Sequence, residues 1–133
     1  MRNFKIRAWH KENKKMYELA KVDLWGDPDQ ATCDLASLDE QLFDVYLSEV
    51  ILMQYTGLKD RAGAEICEGD IGRWYTDKGN ESILFEVLLI EEEARFMGRY
   101  KDEYGNYRFI SLINSDKGLE IIGNIYENPE LLE

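Results

Sequence analysis

Hydrophobic and polar positions alternate with a period of two over much of the chain, and that period predicts strands. Phe4, Ile6 and Ala8 alternate with Lys5, Arg7 and Trp9. The polar stretch His10-Lys11-Glu12-Asn13-Lys14 reads as a turn, and Met16, Tyr17, Leu19 and Val22 return from it. The start of the chain is therefore expected to be a β-hairpin. Trp25-Gly26-Asp27-Pro28-Asp29 is a loop signal. Ser37 to Glu40 has capping-box spacing, with Leu38, Leu42, Val45 and Tyr46 following at helical intervals. This predicts one short helix in the middle at most, while Tyr46 to Tyr55 reads equally well as a buried strand.

From Leu58 the turn signals become regular. Asp60-Arg61-Ala62-Gly63, Asp77-Lys78-Gly79-Asn80, Asp102-Glu103-Tyr104-Gly105-Asn106 and Ser115-Asp116-Lys117-Gly118 punctuate strands at Ile66–Tyr75 (interrupted at Glu68-Gly69), Ile83–Ile90, Arg95–Tyr100, Tyr107–Ile110 and Leu119–Ile122. Short strands at this spacing predict a mainly β fold: an N-terminal hairpin followed by a small SH3-like barrel of short antiparallel strands. Asn128-Pro129 has the residue types of a helix start. Leu52, Ile71, Trp74, Phe85, Val87, Phe96, Phe109 and Ile121 are expected in one core.

Composition narrows the class. At 133 residues with 44% hydrophobic and 32% charged residues, the chain suits a single globular domain with one continuous core. A division into a hairpin and variable middle over 1–56 and a barrel-like part over 57–133 fits the punctuation. No apolar run approaches the ~20 residues that span a bilayer. The first residues are polar and charged, without the apolar stretch of a secretory leader, so a cytoplasmic location is expected. Cys33 and Cys67 lack CxxC spacing and are expected as unpaired thiols.

Charge changes the picture more. The net charge is −11, yet residues 1–21 hold seven basic against two acidic residues, leaving nine against twenty-five in 22–133. A basic hairpin on an acidic body suits pairing with its own body, with that of a neighbouring copy, or with another acidic partner. Lys5, Arg7 and Lys11 interleave with Trp9 and Tyr17, giving a candidate interaction surface with the residue types of a single-strand nucleic-acid platform. The acidic whole opposes that use. It also permits a reading as a DNA mimic.

Catalytic and metal chemistry find little support. His10 is the one histidine, expected at an exposed turn, and nothing in the spacing brings it to Cys33 or Cys67. Glu65, Glu68 and Asp70 cluster, as some of twenty-seven acids must, and Glu91-Glu92-Glu93 reads as a solvated strand end. No zinc, EF-hand or phosphate-loop pattern occurs; Asp77 to Glu81 is too short for a calcium loop. The expectation is a non-enzyme with no cofactor.

Three stretches carry a family resemblance. The chain opens Phe4-Lys5-Ile6-Arg7-Ala8-Trp9, then Lys11-Glu12-Asn13-Lys14-Lys15-Met16. Its centre reads Leu52-Met53-Gln54-Tyr55-Thr56-Gly57-Leu58-Lys59-Asp60, with Gly63 and Glu68-Gly69-Asp70-Ile71, and it ends Ile122-Gly123-Asn124-Ile125-Tyr126-Glu127-Asn128-Pro129-Glu130-Leu131-Leu132. In that order they resemble the YopX family of phage and prophage proteins of Gram-positive bacteria, around a variable middle at about 23–48. The chain departs from the family pattern in two places: at Arg61-Ala62 in the central turn and at Gly72 in place of an aliphatic residue. The resemblance implies a small, mainly β, phage-encoded protein without an assigned activity.

The motif residues read as structural. Gly57, Gly63 and Gly69 suit positive φ, Gly123 a tight crossing, and Asp60 and Asp70 turn hydrogen bonds. Gln54, Tyr55 and Thr56 fit either core satisfaction or a ligand groove. Gly72 suits a bulge or a close backbone approach. Asn124 and Tyr126 belong to the closing motif. The expected function is a self-associating or protein-binding accessory module, with a nucleic-acid-associated role for the basic hairpin as the alternative.

Overall fold

A computed structural model describes residues 5–75 and 82–133. Phe4 and the turn expected at Asp77–Asn80 lie outside the described residues. The fold is mainly β, in two compact units that divide within one strand, between Gln54 and Tyr55. No described helix is long and apolar enough to cross a membrane.

The first unit is an antiparallel sheet built from β1 (Ile6–His10), β2 (Lys15–Asp23), β3 (Thr32–Ala36), β4 (Gln41–Tyr46) and the first half of β5 (Val50–Lys59). Its order is β4-β3-β2-β1-β5. Alternation selects the core face: Ala8, Tyr17, Cys33, Leu35, Val45 and Val50 are buried together, with Leu19, Leu42, Leu47 and Leu52 against them. The expected hairpin is therefore present. It lies inside the sheet, however, with β1 paired to both β2 and β5, so it offers no open edge to a second copy. β4 stands at one end of this sheet.

The helix expected from Ser37 is absent. Ser37 and Glu40 do bond as a capping pair would, the Glu40 N–H donating to Ser37 Oγ at 3.3 Å. The Ser37 N–H also donates to the Glu40 carbonyl at 2.9 Å, which closes the two-residue hairpin loop between β3 and β4. The same side-chain bond serves both geometries, and pairing with β3 decides between them. Lys15 anchors this turn from β2, with Nζ 2.8 Å from Asp39 and 3.0 Å from Glu40. The remaining turns of this middle region are single 3₁₀ turns at Pro28–Gln30 and Leu47–Glu49.

In the second unit, β5 continues through Tyr55 and Lys59 to pair with β6 (Glu65–Cys67). A five-stranded antiparallel sheet follows, built from β7 (Asp70–Tyr75), β8 (Ser82–Ile90), β9 (Arg95–Lys101), β10 (Tyr107–Ser111) and β11 (Leu119–Asn124). Its order is β10-β9-β8-β7-β11, so β10 and β11 are its ends. One helical turn, Ser115–Gly118, leads into β11, and a 3₁₀ turn, Pro129–Leu132, follows the expected Asn128-Pro129 start.

Ile66, Phe85, Val87, Leu112 and Leu119 form the second core, with Trp74, Phe96, Tyr100, Ile110 and Ile121 half-buried around it. Ile71 is also fully buried. The single expected core is thus two, and Leu52 belongs to the first. Phe109, expected inside, is 49% exposed. The register pairs Ile110 with Gly98 and turns Phe109 to the opposite face. The chemistry of Phe109 does not reveal that parity; the length of the preceding turn sets it.

Candidate functional site

The five residues of the expected N-terminal surface do not share a face. Arg7 and Trp9 sit half-buried on one side of β1, and Lys5 and Lys11 are exposed. Lys11 Nζ reaches the Ser48 carbonyl at 3.0 Å. Tyr17 pairs with Ala8 in register, which places it on the core side at 2% exposure. Its hydroxyl donates to the Glu40 carboxylate and accepts from Asn13 Nδ2 at 3.3 Å. Burial and that bond to Glu40 raise the Tyr17 pKa, while Tyr17 and Lys15 together hold the Glu40 carboxyl below its ordinary value.

His10 is likewise not an exposed turn residue. It is buried at the end of β1, where Nδ1 accepts the Asn13 N–H at 3.0 Å and the ring meets Tyr17 edge-on at 6.3 Å. Cys33 and Cys67 are both buried, and neither forms a disulfide. Burial, then the neighbouring Asp34 and Glu49, push the Cys33 thiol up, away from the thiolate a nucleophile needs.

The central and closing motifs bind backbone. Asp60 is 3% exposed; its Oδ1 accepts the N–H groups of Ala62 (2.9 Å) and Ala64 (2.8 Å), and its Oδ2 that of Ile121 (3.0 Å). One carboxylate thereby ties the β5–β6 turn to β11. Burial opposes its ionisation, yet the N–H groups of Ile121, Ala64, Ala62 and Gly63 outweigh burial and hold its pKa below the usual range. Asp70 Oδ2 accepts the Cys67 N–H at 2.7 Å across the Glu68-Gly69 turn, where Gly69 has φ 87°. Gly57 and Gly63 also have positive φ. Thr56 Oγ1 donates to the Ile66 carbonyl at 3.0 Å, and of the two residues before it Gln54 is exposed and Tyr55 half-buried. Asn124 Oδ1 accepts from the N–H groups of Tyr126 (3.0 Å) and Glu127 (2.8 Å), and a Cβ on Gly123 would stand 2.5 Å from Asn128 Oδ1.

A further feature lies where the sequence pattern was not read as a site. On the outer face of β8, β9 and β10 a cleft of about 380 Å³ is lined by Leu84, Arg99, Lys101, Tyr107 and the carboxylates of Glu86 and Glu133, among others. Arg99 stands 4.4 Å and Lys101 5.3 Å from the centre of the Tyr107 ring. Arg99 Nη2 also contacts Glu86 at 3.4 Å. The hairpin register makes the group: Tyr107 faces Lys101, and Phe109 faces Arg99. Residues 95–111 hold four basic side chains against two acidic ones and five aromatics, in a chain of net charge −11. Alternation of Arg99 and Lys101 through the turn to Tyr107 was the available signal, masked by the more basic N-terminus. Asp102 closes that turn, its carboxyl held low by the Asn106 N–H, the Arg108 guanidinium and the Tyr104 N–H.

Among the described residues no group of three or more metal-ligating side chains comes together. A family model described as "YopX protein" matches residues 5–133. The crystal structure of protein EF1440 from Enterococcus faecalis is similar at a TM-score of 0.59 and 26% identity, over 100% of each chain. That of protein yopX from Bacillus subtilis is similar in fold at a TM-score of 0.62 and 22% identity, over 97% of this chain and 98% of that one. No curated protein matches.

Proposed function

The chain belongs to the YopX family, and on that premise we propose that it is a non-enzymatic accessory protein of phage or prophage origin, working in the bacterial cytoplasm as a protein-interaction and assembly module. The observation that carries this reading is that each unit ends in an edge strand with exposed aromatic side chains. On β4 these are Phe43 and Tyr46, at 67% and 51% exposure; on β10 they are Tyr107 and Phe109, at 53% and 49%. An edge strand has backbone groups open on one side, which soluble proteins ordinarily blunt. On β4 the Asp44 and Tyr46 N–H groups already donate to Asp34 Oδ1 and Glu49 Oε2, both at 3.0 Å, so association there rests on the exposed aromatics and not on a free backbone ladder. Aromatic side chains there favour association instead.

Self-association is assigned to β4 rather than to the basic hairpin, which the sheet encloses. The nucleic-acid reading of that hairpin is the weaker one, because Tyr17 belongs to the core and leaves Trp9 as its one aromatic on the outer face of the hairpin. Light scattering across a concentration series tests the proposal. The expected result is a mass that rises with concentration and falls back towards the monomer in Phe43→Arg, with slowed amide exchange along β4 in the associated form. A monomer at every concentration, with β4 amides exchanging freely, overturns it.

A further inference from the structure

We propose that the outer rim of β10 is a docking site for an extended acidic peptide, which adds to the sheet as a strand and places carboxylate side chains against Arg99 and Lys101 beside Tyr107. The inference rests on the reading of the protein as an interaction module and names the partner's chemistry at one edge.

Three observations support it. The first is the register: β10 pairs with β9 at five consecutive residues without a shift, and stands at the end of its sheet. An unbroken ladder on one side presents a straight edge on the other, whereas the one register shift opposite Cys33–Leu35, where Asp44 has φ 54°, interrupts β4, whose association therefore rests on Phe43 and Tyr46 and not on a continuous added strand. A straight edge is what strand addition needs.

The second is the direction of the cations. Arg99 and Lys101 belong to β9, yet both lean over Tyr107, the outer-face residue of the edge strand. Positive charge therefore stands about one strand spacing, ~4.8 Å, from where an added strand would run. Side chains of that strand alternate between faces, so every second residue meets this rim. Arg99 keeps guanidinium donors beyond its 3.4 Å contact with Glu86, and a carboxylate matches them in geometry as well as charge.

The third is the choice between anions. The net charge of −11 opposes any polyanion, and it opposes a phosphate backbone, charged at every unit, more than a peptide with one carboxylate every second residue. A phosphate backbone also has no amide ladder to satisfy the β10 backbone. A peptide with one carboxylate every second residue meets the local cations and the backbone edge together. Phe109, on the same outer face, gives an apolar contact to a neighbouring side chain.

Fluorescence anisotropy of a fluorescein-labelled peptide tests this, using glutamate and valine in alternation over about ten residues, somewhat longer than a typical strand. Saturable binding is expected, weakened about tenfold or more by Lys101→Glu, the loss of one charge-assisted contact and its reversal. Lys101 is exposed, so that variant keeps the fold, which circular dichroism checks. The glutamine–valine peptide, and a glutamate–valine peptide N-methylated at alternate amides, are both expected to bind about tenfold or more weakly. Equal binding of the N-methylated peptide overturns strand addition, and equal binding to Lys101→Glu overturns the site. A deoxythymidine oligonucleotide that binds more tightly than the peptide overturns the choice of partner. If no peptide binds while Phe43→Arg still lowers the mass, the acidic-strand site falls and the interaction module stands.

Discussion

Gly72 and Gly98 show what a single residue does in this fold. A Cβ built on Gly72 would stand 2.5 Å from Phe85 Cζ, and one on Gly98 2.5 Å from Phe85 Cδ2 and 2.9 Å from Ile110 Cγ1. The two glycines flank one fully buried ring from neighbouring strands, and the ring fills the space their missing side chains leave. Gly72 departs from the family pattern and was open to two readings, a bulge or a close approach. The contact with Phe85 makes it a close approach on the β8 side, where the strands pair without a register shift, and the register shift between Ile121 and Gly123 puts a bulge in β11 opposite it, so both readings hold. Gly98→Ala is expected to cost about 1–3 kcal/mol, the range for overpacking a filled core. Phe85→Leu in the same chain should recover part of that loss. Urea denaturation of the two single variants and the double one measures the coupling, and strictly additive losses would contradict the contact.

At the scale of elements, Asp60 holds more of the second unit together than its place in a turn suggests. It accepts from the turn that follows β5 and from Ile121 in β11, sixty-one residues away. Asp60→Asn keeps the shape but turns one acceptor into a donor facing a backbone N–H. The expected loss is about 1–3 kcal/mol, for a buried group left without its partner. The pH dependence has a definite sign. The folded pKa is depressed, so the carboxylate's contribution is complete above its ordinary 3.8 and disappears as pH falls through the lower folded value. Stability measured by denaturation from pH 7 to below that value should fall less steeply at the acid end in Asp60→Asn than in the native chain. Parallel acid limbs would show that Asp60 carries no such linkage. The local role of this aspartate was legible in the Asp-x-x-Gly turn, while its bond to Ile121 was not. A turn signal reports contacts within a few residues, and the partner was chosen by how β11 returns to β7.

At the scale of the whole molecule, each unit carries its own core and its own buried cysteine: Cys33 in the first, Cys67 in the second. Thiol labelling can therefore follow the two units in one intact chain. Both thiols should react in denaturant without reductant, and neither should react rapidly in the native protein. Leu35→Ala and Phe85→Ala should cost about 2–5 and 3–5 kcal/mol, the usual range for buried residues of these types. Each should lower the urea midpoint for labelling its own unit's cysteine more than the other's, as read by mass spectrometry of the labelled peptides. Equal shifts of both midpoints would mean that the two cores unfold as one. Recovery of no reactive thiol in denaturant would mean a disulfide.

The sequence by itself determined the mainly β class, nearly every turn of the second unit, the first hairpin and the family. Those properties follow from local chemistry: alternation with a period of two, Gly and Asp in turns, and three motifs in a particular order. Only the tertiary structure decided which side of a strand faced the core. That choice buried Tyr17 and His10, exposed Phe109, and gathered Arg99, Lys101 and Tyr107 on one rim. It also turned the Ser37–Glu40 pair from a helix start into a hairpin turn and enclosed the basic hairpin between two strands. The physical reason is that strand parity and strand order depend on long-range register, and a one-residue change in a turn reverses every face beyond it without altering the local pattern.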